Sequence, residues 1–385
     1  MQSAVSRLLV RAICNSVSPN GVLDSSSGAT EASEMRSGQV RLLRLLSTAI
    51  REVGREGGGV GAGPRFRWAR CGFAKELVGA PSTVLDADAY GDDACFVAHH
   101  ESADVVGVAD GVGGWRSYGV DPGRFSRSLM KSCASLVRSG QFQASNPSKL
   151  LATAYEELWA EAGRLKRAGA GSERLPLGSS TACVVVLDPV ASLIHTANLG
   201  DSGFLLIREG KVVHRSQEQC HYFNTPYQLS IAPPQFECLR DSPESAEGSS
   251  FPVKAGDFLL VATDGLFDNL PVDVIEEQLS SLNEPSDLEL QGAANSIALQ
   301  ARQLGFDENY MSPFAKKACE SGYRRAIGGK PDDVTVILAV VQATLSAADS
   351  MKTTTADLDE DLDTPLPMAA SRQLSIASFA ALRPS

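Results

Sequence analysis

The stretch Asp104-Val-Val-Gly-Val-Ala-Asp110-Gly-Val-Gly-Gly-Trp115 decides how this chain is read. Apolar residues run up to Asp110, and three glycines follow within the next four positions. A buried strand that ends in an acid and opens into a glycine-rich turn delivers a carboxylate to a site at the end of a sheet. The same order, apolar run then Asp then Gly, returns at Phe258-Leu-Leu-Val-Ala-Thr-Asp264-Gly265. Asp332-Asp333 stands just before the run Val334-Thr-Val-Ile-Leu-Ala-Val340, and Asp92-Asp93 just before Ala94-Cys-Phe-Val-Ala98. Four acidic points so far apart in sequence make sense if folding gathers them around cations. Carboxylates packed together repel one another, and hard divalent metals remove that cost.

Composition bounds the reading. The 385 residues are 43% hydrophobic and 21% charged, ordinary values for one large or two small globular domains. The net charge of -11 argues against nucleic acid or an anionic membrane as the main partner. The eight cysteines are scattered and form no Cys-x-x-Cys, so neither a zinc site nor a redox dithiol is expected. Buried free thiols in a reducing compartment are the simpler expectation. No run of eighteen apolar residues occurs, so no transmembrane segment is expected.

Between the acidic points the elements fall in blocks. Asp121-Pro122 and Asn146-Pro147 each pair an N-cap with a proline at the first helical position. The helices they open, Gly123 to Ser139 and Pro147 to about Lys166, carry apolar stripes: Phe125, Leu129, Met130, Cys133 and Leu136, then Leu150, Leu151, Ala154, Leu158 and Trp159. Strands are expected at Ser180 to Leu187, Ser192 to Asn198, Phe204 to Ile207, Lys211 to His214, Phe258 to Thr263 and Val334 to Val341. Further helices are expected at Val272 to Leu282 and Gln291 to Leu304, with a long surface loop over Gln217 to Gln235. Helices and strands segregate instead of alternating, which predicts an α+β fold with a two-sheet antiparallel sandwich flanked by helices.

The first seventy residues hold ten arginines and no lysine, with few acids and frequent serine early on. That is the composition of an amphipathic mitochondrial transit segment. Gly54 to Gly63 holds six glycines but no following Gly-Lys-Ser/Thr, so it reads as a linker and not as a phosphate cradle. Residues 1–69 are therefore read as a transit segment and linker, 70–343 as the folded domain, and 344–385, rich in Ser, Thr and Asp, as a disordered tail. The Asp86 and Asp88 pair fails as a calcium loop, because position twelve of that loop would be Val97.

Only five histidines are present, with no His-x-x-x-His, no P-loop and no G-x-S-x-G elbow. An all-carboxylate site for magnesium or manganese is left, and a pair of such ions suits hydrolysis or transfer of phosphate.

Six motifs in order then resemble the PPM/PP2C metal-dependent Ser/Thr protein phosphatases. They are Gly91-Asp-Asp-Ala94, Val108-Ala-Asp-Gly111, Gly178-Ser-Ser-Thr-Ala182, Ala197-Asn-Leu-Gly-Asp-Ser202, Ala262-Thr-Asp-Gly-Leu-Phe-Asp268 and Lys330-Pro-Asp-Asp-Val-Thr-Val336. The stretches Asp110 to Trp115 and His221-Tyr-Phe-Asn-Thr-Pro-Tyr-Gln-Leu229 resemble the mitochondrial matrix branch linked to coenzyme Q biosynthesis. The resemblance implies two Mn²⁺ or Mg²⁺ at one end of the sandwich. Asp110 would bridge both ions, the Gly111 carbonyl would ligate one, and Asp264 and Asp332 would bind the other. Asp92 and Asp93 would hold metal-bound waters. Asp201 is read as a structural turn residue, and Asp268 as one that caps or packs below the site.

The chain departs from the family at three points. An arginine that commonly holds substrate phosphate is here Asp88, and Arg116 is the candidate replacement. A histidine that often follows the Asp-Gly is Val112, which leaves a metal-bound water to protonate the leaving oxygen. An acid for a third metal has no match, Glu173 being merely nearby. The expected activity is hydrolysis of phosphoserine and phosphothreonine on mitochondrial proteins. The rivals are an inactive binding protein on the same fold and a small-molecule phosphomonoesterase.

Overall fold

The continuous apolar runs become strands covered on both faces. The computed structural model describes residues 63–75, 89–233, 236–323 and 325–343. The N-terminal arm up to residue 62, the Asp86 and Asp88 pair, and the tail from residue 344 lie outside the described residues. In chain order the strands are β1 (Arg65–Phe73), β2 (Ala89–Tyr90), β3 (Asp93–His100), β4 (Ala103–Ala109), β5 (Gly178–Ser180), β6 (Ala182–Asp188), β7 (Leu193–Leu199), β8 (Gly203–Arg208), β9 (Lys211–Arg215), β10 (Cys220–Tyr222), β11 (Thr225–Pro226), β12 (Leu229–Ile231), β13 (Glu247–Pro252), β14 (Phe258–Ala262) and β15 (Val334–Gln342). The helices are α1 (Pro122–Arg138), α2 (Pro147–Arg167), α3 (Asp264–Phe267), α4 (Val272–Ser280), α5 (Asp287–Gly305) and α6 (Pro313–Glu320).

Two large sheets form. One has the order β13-β7-β6-β4-β3-β2 and the other β1-β15-β14-β8-β9. Pairing is antiparallel throughout both. Alternation explains why the strands look uniformly apolar. In β6, Val184 and Val186 join the core shared with α1 and α2, while Cys183, Val185 and Leu187 face the second sheet. In β15, Val336, Leu338 and Val340 pack toward α5, while Ile337, Ala339 and Val341 turn inward to the first sheet. An antiparallel sheet usually leaves one face to water, which gives apolar–polar alternation. Here helices cover both outer faces, so both phases of the pleat are apolar. Each large side chain so buried stabilises the fold by roughly 1.5–3 kcal/mol.

The two helical stripes form the core with the first sheet, except Trp159, which is 39% exposed and lies under the Arg240 guanidinium. Asp121 and Asn146 accept from backbone amides at the starts of α1 and α2. The run expected as one strand from Ser180 is two, because Thr181 ends β5, which pairs with β12, and β6 begins at Ala182 in the first large sheet. The loop after Gln217 carries the short strands β10, β11 and β12. The second sheet starts at Arg65, ahead of the boundary expected at residue 70. No helix among the described residues is long and apolar enough to cross a membrane.

Candidate active site

The acidic points sit where these strands end. Asp110 follows β4, Asp93 opens β3, Asp264 opens α3 just after β14, and Asp332-Asp333 leads into β15. The first two come from one large sheet and the others from its partner, so the site lies across the end of the sandwich. Glycines let the chain come this close. A Cβ on Gly111 would meet the Asp92 carbonyl oxygen at 2.6 Å and the Pro122 carbonyl oxygen at 2.7 Å. A Cβ on Gly265 would lie 1.9 Å from the Asp333 carbonyl oxygen.

Asp110, Asp201 and Asp264 each offer a carboxylate oxygen within 4.8 Å of the other two. Asp201 was expected to be a turn residue only; it does stand in the turn between β7 and β8, but its carboxylate joins this cluster. Gly200-Asp201 does not repeat the order of apolar run, Asp, Gly seen at Asp110 and Asp264, since its glycine comes first and β7 carries His195, Thr196 and Asn198; an acid two residues past a strand end was the signal available in the sequence. The main chain of Asp110 is fixed by Thr181, whose Oγ1 accepts from the Asp110 amide at 3.1 Å and whose amide donates to the Asp110 carbonyl at 3.0 Å. Burial raises the Asp110 carboxyl well above its ordinary value, helped by the charges of Asp264, Asp93, Asp332 and Asp201. Burial and Asp264 likewise raise Asp201.

Asp93 is buried, and its Oδ2 accepts hydrogen bonds from Thr263 Oγ1 and Thr335 Oγ1, both at 2.8 Å. Both threonines belong to the opposite sheet's chain segments, so this carboxylate ties the two sheets at the site. Burial and the Asp333 charge raise Asp93 as well. Asp333 accepts from the backbone amides of Lys75 and Asp92, the latter at 2.7 Å. It therefore serves the main chain and leaves Asp332 the more open carboxylate of the pair. Burial and Asp264 push Asp332 up to about 6.

Asp92 lies beside the cluster with Arg116, whose guanidinium donates to both carboxylate oxygens at 2.6 and 2.9 Å. The Arg116 side chain is 52% exposed. The fork expected to receive substrate phosphate is thus placed on Asp92, and a phosphate role needs that pair to open. Burial and Asp333 still hold Asp92 up at about 6 despite the arginine. Glu173 stays exposed in a 3-10 turn ahead of β5. Asp268 accepts from Lys330 at 2.8 Å and Lys317 at 3.4 Å. Lys330 also donates to Asp264, a second contact that sequence reading missed. Burial alone would raise Asp264, but Lys330 outweighs it and holds that carboxyl below its ordinary value.

The donor set fits divalent cations. Asp93 Oδ1 and Asp201 Oδ1 are buried with no hydrogen-bond partner among the described residues. Asp110 and Asp264 approach within hydrogen-bonding reach, and two carboxylates so placed need a shared proton or a cation. Oxygen-only ligands in this number suit magnesium or manganese, not zinc or copper.

Comparison with known proteins agrees. A family model described as Protein phosphatase 2C matches residues 83–295. The chain is 53% identical over 290 residues to "Protein phosphatase PTC7 homolog" of Homo sapiens, covering 74% of this chain and 90% of that protein. It is 44% identical over 286 residues to "Protein phosphatase PTC7 homolog fig" of Drosophila virilis, covering 72% and 87%. Among solved structures, the photosystem II phosphatase PBCP superposes with a TM-score of 0.58 at 28% identity, covering 73% of this chain and 100% of that one. With an acid cluster of hard-metal character, a phosphatase family model over more than half its length and close phosphatase relatives, the chain belongs to the protein phosphatase 2C family of metal-dependent protein phosphatases.

Proposed function

We propose that this chain is a mitochondrial protein serine/threonine phosphatase that hydrolyses phosphoserine and phosphothreonine with water activated by two Mn²⁺ or Mg²⁺ ions. The observation that carries the reading is the convergence of Asp110, Asp201 and Asp264 within 4.8 Å. Asp110, Asp201 and Asp264 would hold the cations, with Asp332 and the Gly111 carbonyl at the rim. When bound, such ions lower the pKa of water toward neutrality and neutralise charge on the phosphoryl oxygens. The protein's own groups do the positioning. Thr263 and Thr335 fix the Asp93 carboxylate, leaving its other oxygen without a hydrogen-bond partner among the described residues and able to accept from water at the site. Arg116 orients Asp92, and it is exposed enough to reach a phosphate once released. Val112 offers no proton, so the leaving oxygen takes one from solvent at the site.

The Arg-rich, lysine-free first seventy residues support the mitochondrial assignment, and phosphorylated mitochondrial proteins, those of coenzyme Q biosynthesis included, are the proposed substrates. The test is release of phosphate from phosphoserine and phosphothreonine peptides by wild type and Asp110→Asn, in Mn²⁺ and in chelator. Metal-dependent turnover by wild type and its loss in the variant are expected. An inert wild type in excess Mn²⁺ points to a binding protein, and turnover of small phosphate esters alone points to a metabolite phosphatase. Deleting residues 1–35 should leave the protein in the cytosol; unchanged import overturns the targeting assignment.

A further inference from the structure

Lys330 is built into the acidic cluster. Its amide donates to Asn269 Oδ1 at 2.8 Å, and its carbonyl accepts from Asn269 Nδ2 at 2.8 Å. Asn269 is 1% exposed and also donates to the Gly265 carbonyl at 3.0 Å. The lysine's main chain is thus locked to the segment that carries Asp264. The side chain is 17% exposed and its ammonium lies over the Phe314 ring, 5.2 Å from the centroid. Three carboxylates surround that ammonium: Asp264 in direct contact, Asp268 at 2.8 Å and Asp332 at 3.5 Å.

Two of the three, Asp264 and Asp332, are among the residues read as cation ligands. The orphaned Asp201 oxygen and the Asp110–Asp264 contact show that this cluster still lacks positive charge on its Asp110 side. An ammonium has three N–H donors and one charge, so it satisfies part of the cluster without completing it. Lys317, the other lysine on Asp268, is bonded at the same time to Glu218 at 2.7 and 2.8 Å and makes no contact with Asp264 or Asp332 among those described.

We propose that Lys330 is a tethered cation that shares Asp264 and Asp332 with the bound metal, competing with one divalent ion for these two carboxylates and so setting the metal concentration at which the enzyme is loaded. The inference rests on the two-ion reading above. It is a positioning role: Lys330 acts through the ligands and not on the substrate. The metal-free fold keeps part of its charge compensation, and loading requires the ammonium to yield Asp264.

The test is isothermal calorimetry of Mn²⁺ binding to the full chain, wild type against Lys330→Gln and Lys317→Gln, with melting temperatures in chelator as a second readout. Removing one positive charge from beside a divalent ion in a partly buried site should tighten Mn²⁺ binding at least about tenfold in K330Q. The same variant should melt lower than wild type in chelator, and K317Q should shift the affinity much less. If K330Q does not fold without metal, it is prepared in Mn²⁺ and the rate at which chelator strips the ion is compared with wild type. Slower stripping supports the proposal, and equal or faster stripping overturns it. Unchanged or weaker Mn²⁺ affinity in K330Q overturns it while leaving the two-ion reading intact, whereas no Mn²⁺ uptake by wild type removes both.

Discussion

Replacing Asp110 by Asn should make the metal-free protein more stable and the metal-loaded protein less so. Asp110 has a carboxylate oxygen within 4.8 Å of those of Asp201 and Asp264. Two ionised carboxylates about 5 Å apart, at an effective dielectric of about 20, repel by roughly 3 kcal/mol. The cluster escapes part of this by retaining protons, so the realised gain on neutralising Asp110 is about 1–3 kcal/mol. An amide there brings two N–H donors, and the Asp264 and Asp201 carboxylates, each with an oxygen within 4.8 Å, are the acceptors beside it. For a domain of this size each kcal/mol moves the melting temperature by roughly 2–4 °C, so a rise of about 2–12 °C is expected in chelator. In saturating Mn²⁺ the order should reverse. Wild type gains about 2.7 kcal/mol at an ion concentration one hundred times its dissociation constant, and the variant gains less. Differential scanning fluorimetry in chelator and in Mn²⁺ reads both arms. A variant that melts below wild type in chelator would refute the claim that this carboxylate destabilises the fold.

Other expectations follow from the same geometry. Asp92 and Asp332 have folded values of about 6 against an ordinary 3.8, so between those limits the folded state binds more protons than the unfolded one, and stability falls as pH rises through that window. In chelator the melting temperature should therefore be higher near pH 5 than near pH 7, and the opposite order would remove the assigned effect of burial and repulsion. Gly265→Ala forces a Cβ against the Asp333 carbonyl oxygen, so the segment carrying Asp332 must move from Asp264; the thermal shift produced by Mn²⁺ should shrink, and an undiminished shift would show that the two segments need not be in contact. Leu206→Ala opens a cavity between the two sheets, where Leu206 is fully buried, and should cost about 2–5 kcal/mol in urea unfolding with little change in Mn²⁺ affinity.

The central strands and the acids at their ends were legible because both signals are local. An apolar run, an Asp and a Gly fit within one window, as at Asp110 and Asp264. The first two helices announced themselves by cap and proline together. The elements that escaped are those whose sequence serves two purposes. β1 looked like part of an arginine-rich arm, yet its alternate residues Ala69, Cys71 and Phe73 are core, while Arg65 pairs with Asp104 and Arg67 with Asp287. It is an edge strand, and Arg65 and Arg67, which share the pleat phase of Ala69, Cys71 and Phe73, are tolerated because each meets a carboxylate. β13 is the edge of the other sheet and its polar Glu247-Gly-Ser-Ser gave no strand signal. α5 begins at Asp287, ahead of its apolar stripe, because Ser286 and Glu289 form a capping box that went unread. Asp201 lacks that pattern, because its glycine precedes it and the strand before it carries His195, Thr196 and Asn198, so its sequence reads as a turn. Lys330 had little local signal, since apart from Asp332, two residues on, its partners Asp264 and Asp268 are over sixty residues away in the chain.

No two of the clustered aspartates share a strand, and none is needed to fill the apolar layer between the sheets. Asp110 or Asp201 can therefore be exchanged for a neutral residue without dismantling the scaffold that presents the others. A descendant of this enzyme that grips phosphorylated partners without turning them over lies a single codon change away, and it would inherit an intact, less charge-stressed shell.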